Sequence, residues 1–224
     1  MCVCASSFIL YRFLSMVGVK YYLNERGGSV GRLIIFIDSN NFYKNSERLL
    51  DSPRPKFNWG NLILGLRDKY QERFPDANLL KAYYYTALSD REDNPTAYDR
   101  QSAFITAIER IPFIETRVGY LSRIPRNKDV PVDRRDPSTY VHRDKRTDVT
   151  LSNDLLENAI LKKYEHAAIV SADGDFDDTI QRIKVLGIKV CAMIPLGAPA
   201  SSIRSAADDT IYIEPAFLQK HRIK

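Results

Sequence analysis

The apolar positions of this 224-residue chain fall into short unbroken runs that alternate with stretches of helical period. Leu33-Ile34-Ile35-Phe36-Ile37 predicts a strand buried on both faces, and it ends abruptly at Asp38. Asn40 and Asn41 just beyond it are read as part of a strand-to-helix loop. From Phe57 to Phe74 the positions Trp59, Leu62, Ile63, Leu66 and Tyr70 recur at helical spacing, and Pro75 stops them. Leu79 to Thr86 reads as a second strand. Pro95 opens a helix through Ala103, Ile105, Ala107 and Ile108 that halts before Pro112, and Phe113 to Leu121 is a third strand. Pro125, Pro131 and Pro137, set among many charges, mark an irregular loop or loose hairpin tip. Asp148 to Tyr164 is helical, with Thr147 as the expected N-cap. Beyond it a strand (Ala167 to Val170), a helix (Phe176 to Leu186, capped by Gly187) and another strand (Ile188 to Ile194) follow. A short helix from Ser201 to Ala207 and a last strand from Thr210 to Ile213 complete the pattern. The alternation predicts an α/β domain with a mostly parallel sheet over residues 32–214, an N-terminal extension over 1–31 and a C-terminal tail over 215–224.

Hydrophobic residues make up 44% of the chain and charged ones 27%, which argues against a disordered, collagen-like or coiled-coil protein. The net charge of +5 is concentrated: Arg110 to Arg146 holds ten Lys or Arg against five acids, a surplus of five that equals the whole excess. Such a stretch is either a solvated loop or a face turned toward nucleic acid. Three cysteines are too few for a disulfide framework, so a reducing compartment, the cytoplasm, is expected. The N-terminal segment is apolar, yet Arg12 and Lys20 interrupt it before the ~18 residues that a spanning helix needs, and no stable membrane insertion is expected. Met16 offers an alternative start that would make the first fifteen residues an artefact.

In an open parallel sheet, ligands bind outside the carboxyl ends of the strands. Here those ends carry acids: Asp38 after the first strand, Asp173 and Asp175 after the strand ending at Val170, and Asp148 at the start of the helix beyond the basic loop. Brought together, four carboxylates would raise one another's pKa, and a divalent ion would relieve the repulsion. With no histidine or cysteine beside them, the all-oxygen set suits Mg²⁺ or Mn²⁺ rather than zinc. Ions of this kind act on phosphate esters. Each acid alone is equally a turn former or N-cap. Asn41 is a candidate to support the acids, and Lys145 and Arg146 to hold a phosphate. Asp154 lies six residues beyond Asp148, about 240° round the helix, and so does not share its face.

Phe36-Ile37-Asp38-Ser39-Asn40-Asn41-Phe42, Lys145-Arg146-Thr147-Asp148-Val149 with Leu151 and Asp154, and Ser171-Ala172-Asp173-Gly174-Asp175-Phe176 together resemble the three ordered signatures of the NYN-domain family, the LabA-like branch of the PIN-like nucleases. The resemblance runs from about Leu33 to Ile213. It implies a Rossmann-like, PIN-like sheet and a metal-dependent ribonuclease. Asp38, Asp148, Asp173 and Asp175 would be the catalytic, metal-binding acids, with Asn41, Ser171 and Asp154 supporting them. RNA, expected to be single-stranded, would be held by Lys145, Arg146, Arg134, Arg135 and Arg143; self-association is compatible with the sequence. Two departures stand out: Ser39 replaces a frequent glycine, and Arg146-Thr147 replaces a Gly-Val-type pair. The alternative is a catalytically inactive RNA-binding or partner-docking module of the same fold. A Toprim domain would place a glutamate where Asp38 stands, and a phosphatase with Asp38 as nucleophile would need an acid at Asn40.

Overall fold

The structure, a computed structural model, describes residues 31–223; the apolar N-terminal segment, with Met16 and two of the three cysteines, lies outside them. Strand β1 (Gly31–Asp38) is buried from Leu33 to Asp38, as its unbroken apolar run requires of a central strand. It passes directly into helix α1 (Ser39–Leu50), where a loop was expected. The buried positions of α1 are Ser39, Phe42, Asn45 and Ser46, so its helical period is carried largely by polar residues and hydrophobicity does not announce it. Helix α2 (Trp59–Gln71) buries the five apolar residues whose spacing predicts it, and Asn58 caps it by accepting a hydrogen bond from the Asn61 amide.

Strand β2 (Ala77–Leu88) and helix α3 (Pro95–Glu109) follow. Strands β3 (Ile114–Pro125) and β4 (Tyr140–Lys145) then make an antiparallel hairpin out of much of the basic stretch. Helix α4 (Thr147–Ile160), β5 (His166–Val170), α5 (Asp177–Val185) and β6 (Lys189–Pro195) continue the alternation. Gly187 at φ +86° closes the α5 end, as expected. Helix α6 (Ser201–Ala206) and β7 (Asp209–Ile213) follow. Residues after 214, expected as a tail, form helix α7 (Pro215–Lys220), whose Leu218 is fully buried in the core. Among the described residues no helix is long and apolar enough to cross a membrane.

The seven strands lie in the order β4-β3-β2-β1-β5-β6-β7, parallel throughout except for β3 against β4. The chain builds outward from β1 on one side and then returns to add β5 on the other. Strands β1 and β5 therefore flank the topological switch point, outside whose carboxyl ends open α/β sheets bind their ligands. Alternate residues of β1 divide the core. Leu33, Ile35 and Ile37 pack with α1, α2, α3 and α7, while Ile34 and Phe36 pack with α4, α5 and α6. Tyr83, Tyr84 and Tyr85 are all buried in these two layers.

Candidate active site

Asp38 ends β1 at the switch point and is only 3% exposed. It is the N-cap of α1: its carboxylate accepts the Asn41 amide at 3.1 Å and the Ser171 hydroxyl at 2.9 Å. The Asp173 amide donates to Ser171 Oγ at 3.0 Å, and the Asp175 amide donates to the Asp173 carboxylate at 3.0 Å. The two acid-bearing strand ends are thus tied together through Ser171. Asn41 makes a second tie, its Oδ1 accepting the Ala172 amide at 2.9 Å and Asn45 Nδ2 at 2.8 Å. Asn45 accepts in turn from Arg48, which also donates to the Gly197 carbonyl after β6 at 3.0 Å. The polar stripe that hid α1 from the hydrophobic pattern is what connects the ends of β1, β5 and β6.

Asn41→Ala is expected to cost about 1–3 kcal/mol, because the Ala172 amide loses its partner in a place that water reaches poorly. Chemical denaturation measures this, and a change within about 0.5 kcal/mol, typical of an ordinary surface position, would show that the tie contributes nothing.

Burial raises the Asp38 pKa to about 6, against the two hydrogen bonds it accepts, and the charges of Asp148 and Asp173 push the same way. Asp148, on the first turn of α4, is raised by burial and by Asp144, Asp173 and Asp175. The four acids that the sequence singles out therefore share one field. Among the described residues none of them forms a salt bridge with a lysine, arginine or histidine. Unneutralised, all-oxygen donors of this kind fit a hard divalent cation. No three His, Cys, Asp or Glu side chains among the described residues form a ready-made metal cage. Any ion held here would keep water in its shell, as Mg²⁺ commonly does.

A fifth acid, Asp144, joins this field although the sequence placed it only among the charges of the basic loop. It sits at the end of β4, half-buried, bonded to Asn40 Nδ2 and to Thr147 Oγ1. Burial raises its pKa despite both bonds. Thr147 is accordingly not the N-cap: it is the first residue of α4, and its hydroxyl fixes Asp144. The N-cap is Arg146, at φ +78°, a backbone region that favours glycine. The Gly-Val-type pair of the resemblance would meet that requirement without strain. Ser39, the other departure, is buried and interacts with the Tyr84 hydroxyl.

Asp154 stands apart from the cluster. It accepts from the Tyr85 hydroxyl at 2.9 Å and from Arg117 Nε at 3.0 Å, on the α4 side of the sheet, so its partners are structural rather than the four acids. Of the basic candidates, Lys145 and Arg146 lead directly into α4 beside the acids. Arg143 lies farther along β4, whereas Arg134 and Arg135 lie beyond it in the hairpin tip, where Arg134 pairs with Glu92 at 3.0 Å. Exposed pairs of that kind contribute little. Arg123 is held by Asp93 at 2.9 Å and Asp90 at 3.1 Å, and His142 meets Asp93 at 2.8 Å. Part of the basic stretch is thus neutralised by the acidic turn before α3.

The family description of the NYN domain matches residues 32–214. The chain belongs to the NYN domain family. NYN domains are PIN-like, generally nuclease-like and generally dependent on divalent metal. Over 193 residues the chain is 25% identical to the Low amplitude and bright protein LabA of Synechococcus elongatus, covering 84% of this chain and 88% of that protein. The LabA-like NYN resemblance is thereby borne out. The crystal structure of a Vibrio parahaemolyticus protein of unknown function has the same fold, with a TM-score of 0.51 at 18% identity over 86% of this chain and 96% of that one.

Proposed function

We propose that this NYN protein is a metal-dependent ribonuclease, hydrolysing phosphodiester bonds of single-stranded RNA at the cluster formed by Asp38, Asp148, Asp173 and Asp175. The supporting observation is electrostatic: beyond burial, Asp148 and Asp173 push the Asp38 pKa up and Asp173 and Asp175 push that of Asp148 up, and among the described residues no cationic side chain forms a salt bridge with any of the four. When bound there, Mg²⁺ or Mn²⁺ would polarise a phosphoryl oxygen and make a bound water nucleophilic at neutral pH. The residues do the rest. Asp38 and Asp173 are oriented by Ser171, and Asn41 holds the β5 end against α1. Lys145 and Arg146 bring positive charge to the rim, where a phosphodiester backbone would be received. Asp144, fixed by Asn40 and Thr147, adds a carboxylate beside Asp148.

Purified protein incubated with labelled single-stranded RNA and Mg²⁺ or Mn²⁺ is expected to cut it, and EDTA to stop the reaction. Asp173→Asn, prepared identically to exclude contaminating ribonuclease, removes a donor at nearly constant volume and should reduce cleavage to background. Equal turnover by that variant would remove the acids from the reaction.

A further inference from the structure

The far side of the β3–β4 hairpin bears on the same reaction, and its role rests on the ribonuclease reading above. Strand β2 ends at Leu88, opposite Tyr120, and β4 begins its pairing at the same residue, with Lys145 opposite Tyr120. Past Tyr120, from Leu121 to Pro125, β3 therefore has β4 alone as a partner. The two strands project as a ribbon beyond the carboxyl edge of the sheet by five residue steps, roughly 16 Å.

The register divides this ribbon into two faces. On one face lie Leu121 with Asp144, Arg123 with His142, and Pro125 with Tyr140. That face is occupied: Asp144 is bonded to Asn40 and Thr147, Arg123 and His142 are bonded to Asp93, and Tyr140 is buried. The other face carries Tyr120 with Lys145 and Ser122 with Arg143, and it is open. The Tyr120 side is 47% exposed, and Val118, two residues before it on the same face, is 45% exposed. The guanidinium of Arg146 lies 5.3 Å from the centre of the Tyr120 ring. Among the described residues, no acid pairs with Arg143, Lys145 or Arg146.

An exposed aromatic ring, a guanidinium stacked on it and two further unneutralised cations form the chemistry that receives unpaired nucleotides. Bases stack on the ring while phosphates meet the cations. A duplex keeps its base faces hidden and would gain only the charge. We infer that Tyr120 and Arg146 form a base-stacking platform that makes single-stranded RNA the preferred substrate, with Arg143 and Lys145 holding its backbone. Arg146 belongs to both places: its ring contact is on the open face, while its carbonyl accepts the Thr150 amide in the first turn of α4, two residues before Asp148. A nucleotide stacked on Tyr120 is thus a near neighbour of the bond presented to the acids. The tyrosines that the sequence crowds together, Tyr83 to Tyr85, are buried and not available for this role, and so is Tyr140.

The test measures binding in the Asp173→Asn background, using fluorescently labelled single-stranded RNA and the same sequence as a duplex. Tyr120→Ala is expected to weaken single-strand binding roughly 10- to 100-fold, Tyr120→Phe to change it by no more than about threefold, and neither to alter duplex binding. Undiminished single-strand binding by Tyr120→Ala, or an equal loss for both RNAs, would overturn the platform. Cleavage by the unmodified protein is scored separately. Tyr120-dependent binding without cleavage would leave the platform standing and remove the nuclease reading; cleavage with Tyr120-independent binding would do the reverse.

Discussion

Asp38→Asn is expected to make the metal-free protein more stable at neutral pH while it abolishes cleavage. The ordinary carboxyl value of 3.8 is raised to about 6 in the folded chain, mainly by burial. Below 3.8 the group is protonated in both folded and unfolded states, and its burial carries no charge penalty. As pH rises from there toward 6, the unfolded chain releases the proton while the folded chain retains it, so stability falls. Above 6 the penalty is complete, about 3 kcal/mol from a shift of roughly two units. Asparagine removes that titration but loses one acceptor, facing either Ser171 or the Asn41 amide, a cost of about 1 kcal/mol. The net gain, roughly 2 kcal/mol, should raise Tm by roughly 4–8 °C in EDTA at neutral pH and vanish or reverse in acid. Added Mg²⁺ or Mn²⁺ should stabilise the native chain and not the variant, because binding favours the ionised carboxylate. Thermal melts across pH with and without metal measure all of this. A variant that gains nothing at neutral pH would mean that the carboxylate is not held there under strain. By the same sign, the affinity for Mg²⁺ or Mn²⁺, and with it cleavage at subsaturating metal, should rise as pH passes through about 6, where Asp38 of the metal-free protein loses its proton.

The acids were legible because a buried run that stops dead on a carboxylate marks a strand end, and parallel topology gathers strand ends. Asp38, Asp173 and Asp175 follow directly from that. Asp144 does not, since it belongs to a six-residue strand, YVHRDK, whose alternation is charged rather than apolar. Helix α1 escaped for a related physical reason: its buried positions include two polar residues, Ser46 and Asn45, the latter inside because it bonds Asn41 and Arg48 in the tie between strand ends. Period-two patterning says that neighbouring residues face opposite ways, but not which face another element will cover. That is why the three consecutive tyrosines, Tyr83 to Tyr85, are buried while Tyr120, solitary in sequence, is 47% exposed. The φ of +78° at Arg146 likewise has no hydrophobic signature; only the Gly-Val-type pair of the family pattern hints that the backbone there turns left-handed.

The position of the acids also depends on an anchor that carries no charge, and Phe176→Ala should show how strongly. Asp173, Gly174 and Asp175 form a tight turn that ends at Phe176, which is 0% exposed in the same core cluster as Leu151 and Leu155 of α4 and Ile180 of α5. On the other side of the turn, a Cβ placed on Gly174 would come within 2.9 Å of Ser202 Cβ, and Ser202 donates to Asp177 at 2.6 Å. The turn is thus held between the core and α6. Removing the ring should cost about 3–5 kcal/mol, since the surrounding helices and sheet cannot close fully over the space it leaves. Tm should fall by roughly 6–20 °C. Phe176→Leu, which keeps most of the apolar volume, should cost only about 1 kcal/mol. Cleavage measured well below the lowered Tm separates the two consequences. If Phe176 also fixes the acids, the folded alanine variant should lose rate there while its circular dichroism stays native, because a small displacement of reacting groups is costly. A folded alanine variant with the native rate would confine Phe176 to stability and leave Ser171, through its hydrogen bonds to Asp38 and Asp173, as the element that positions the acids.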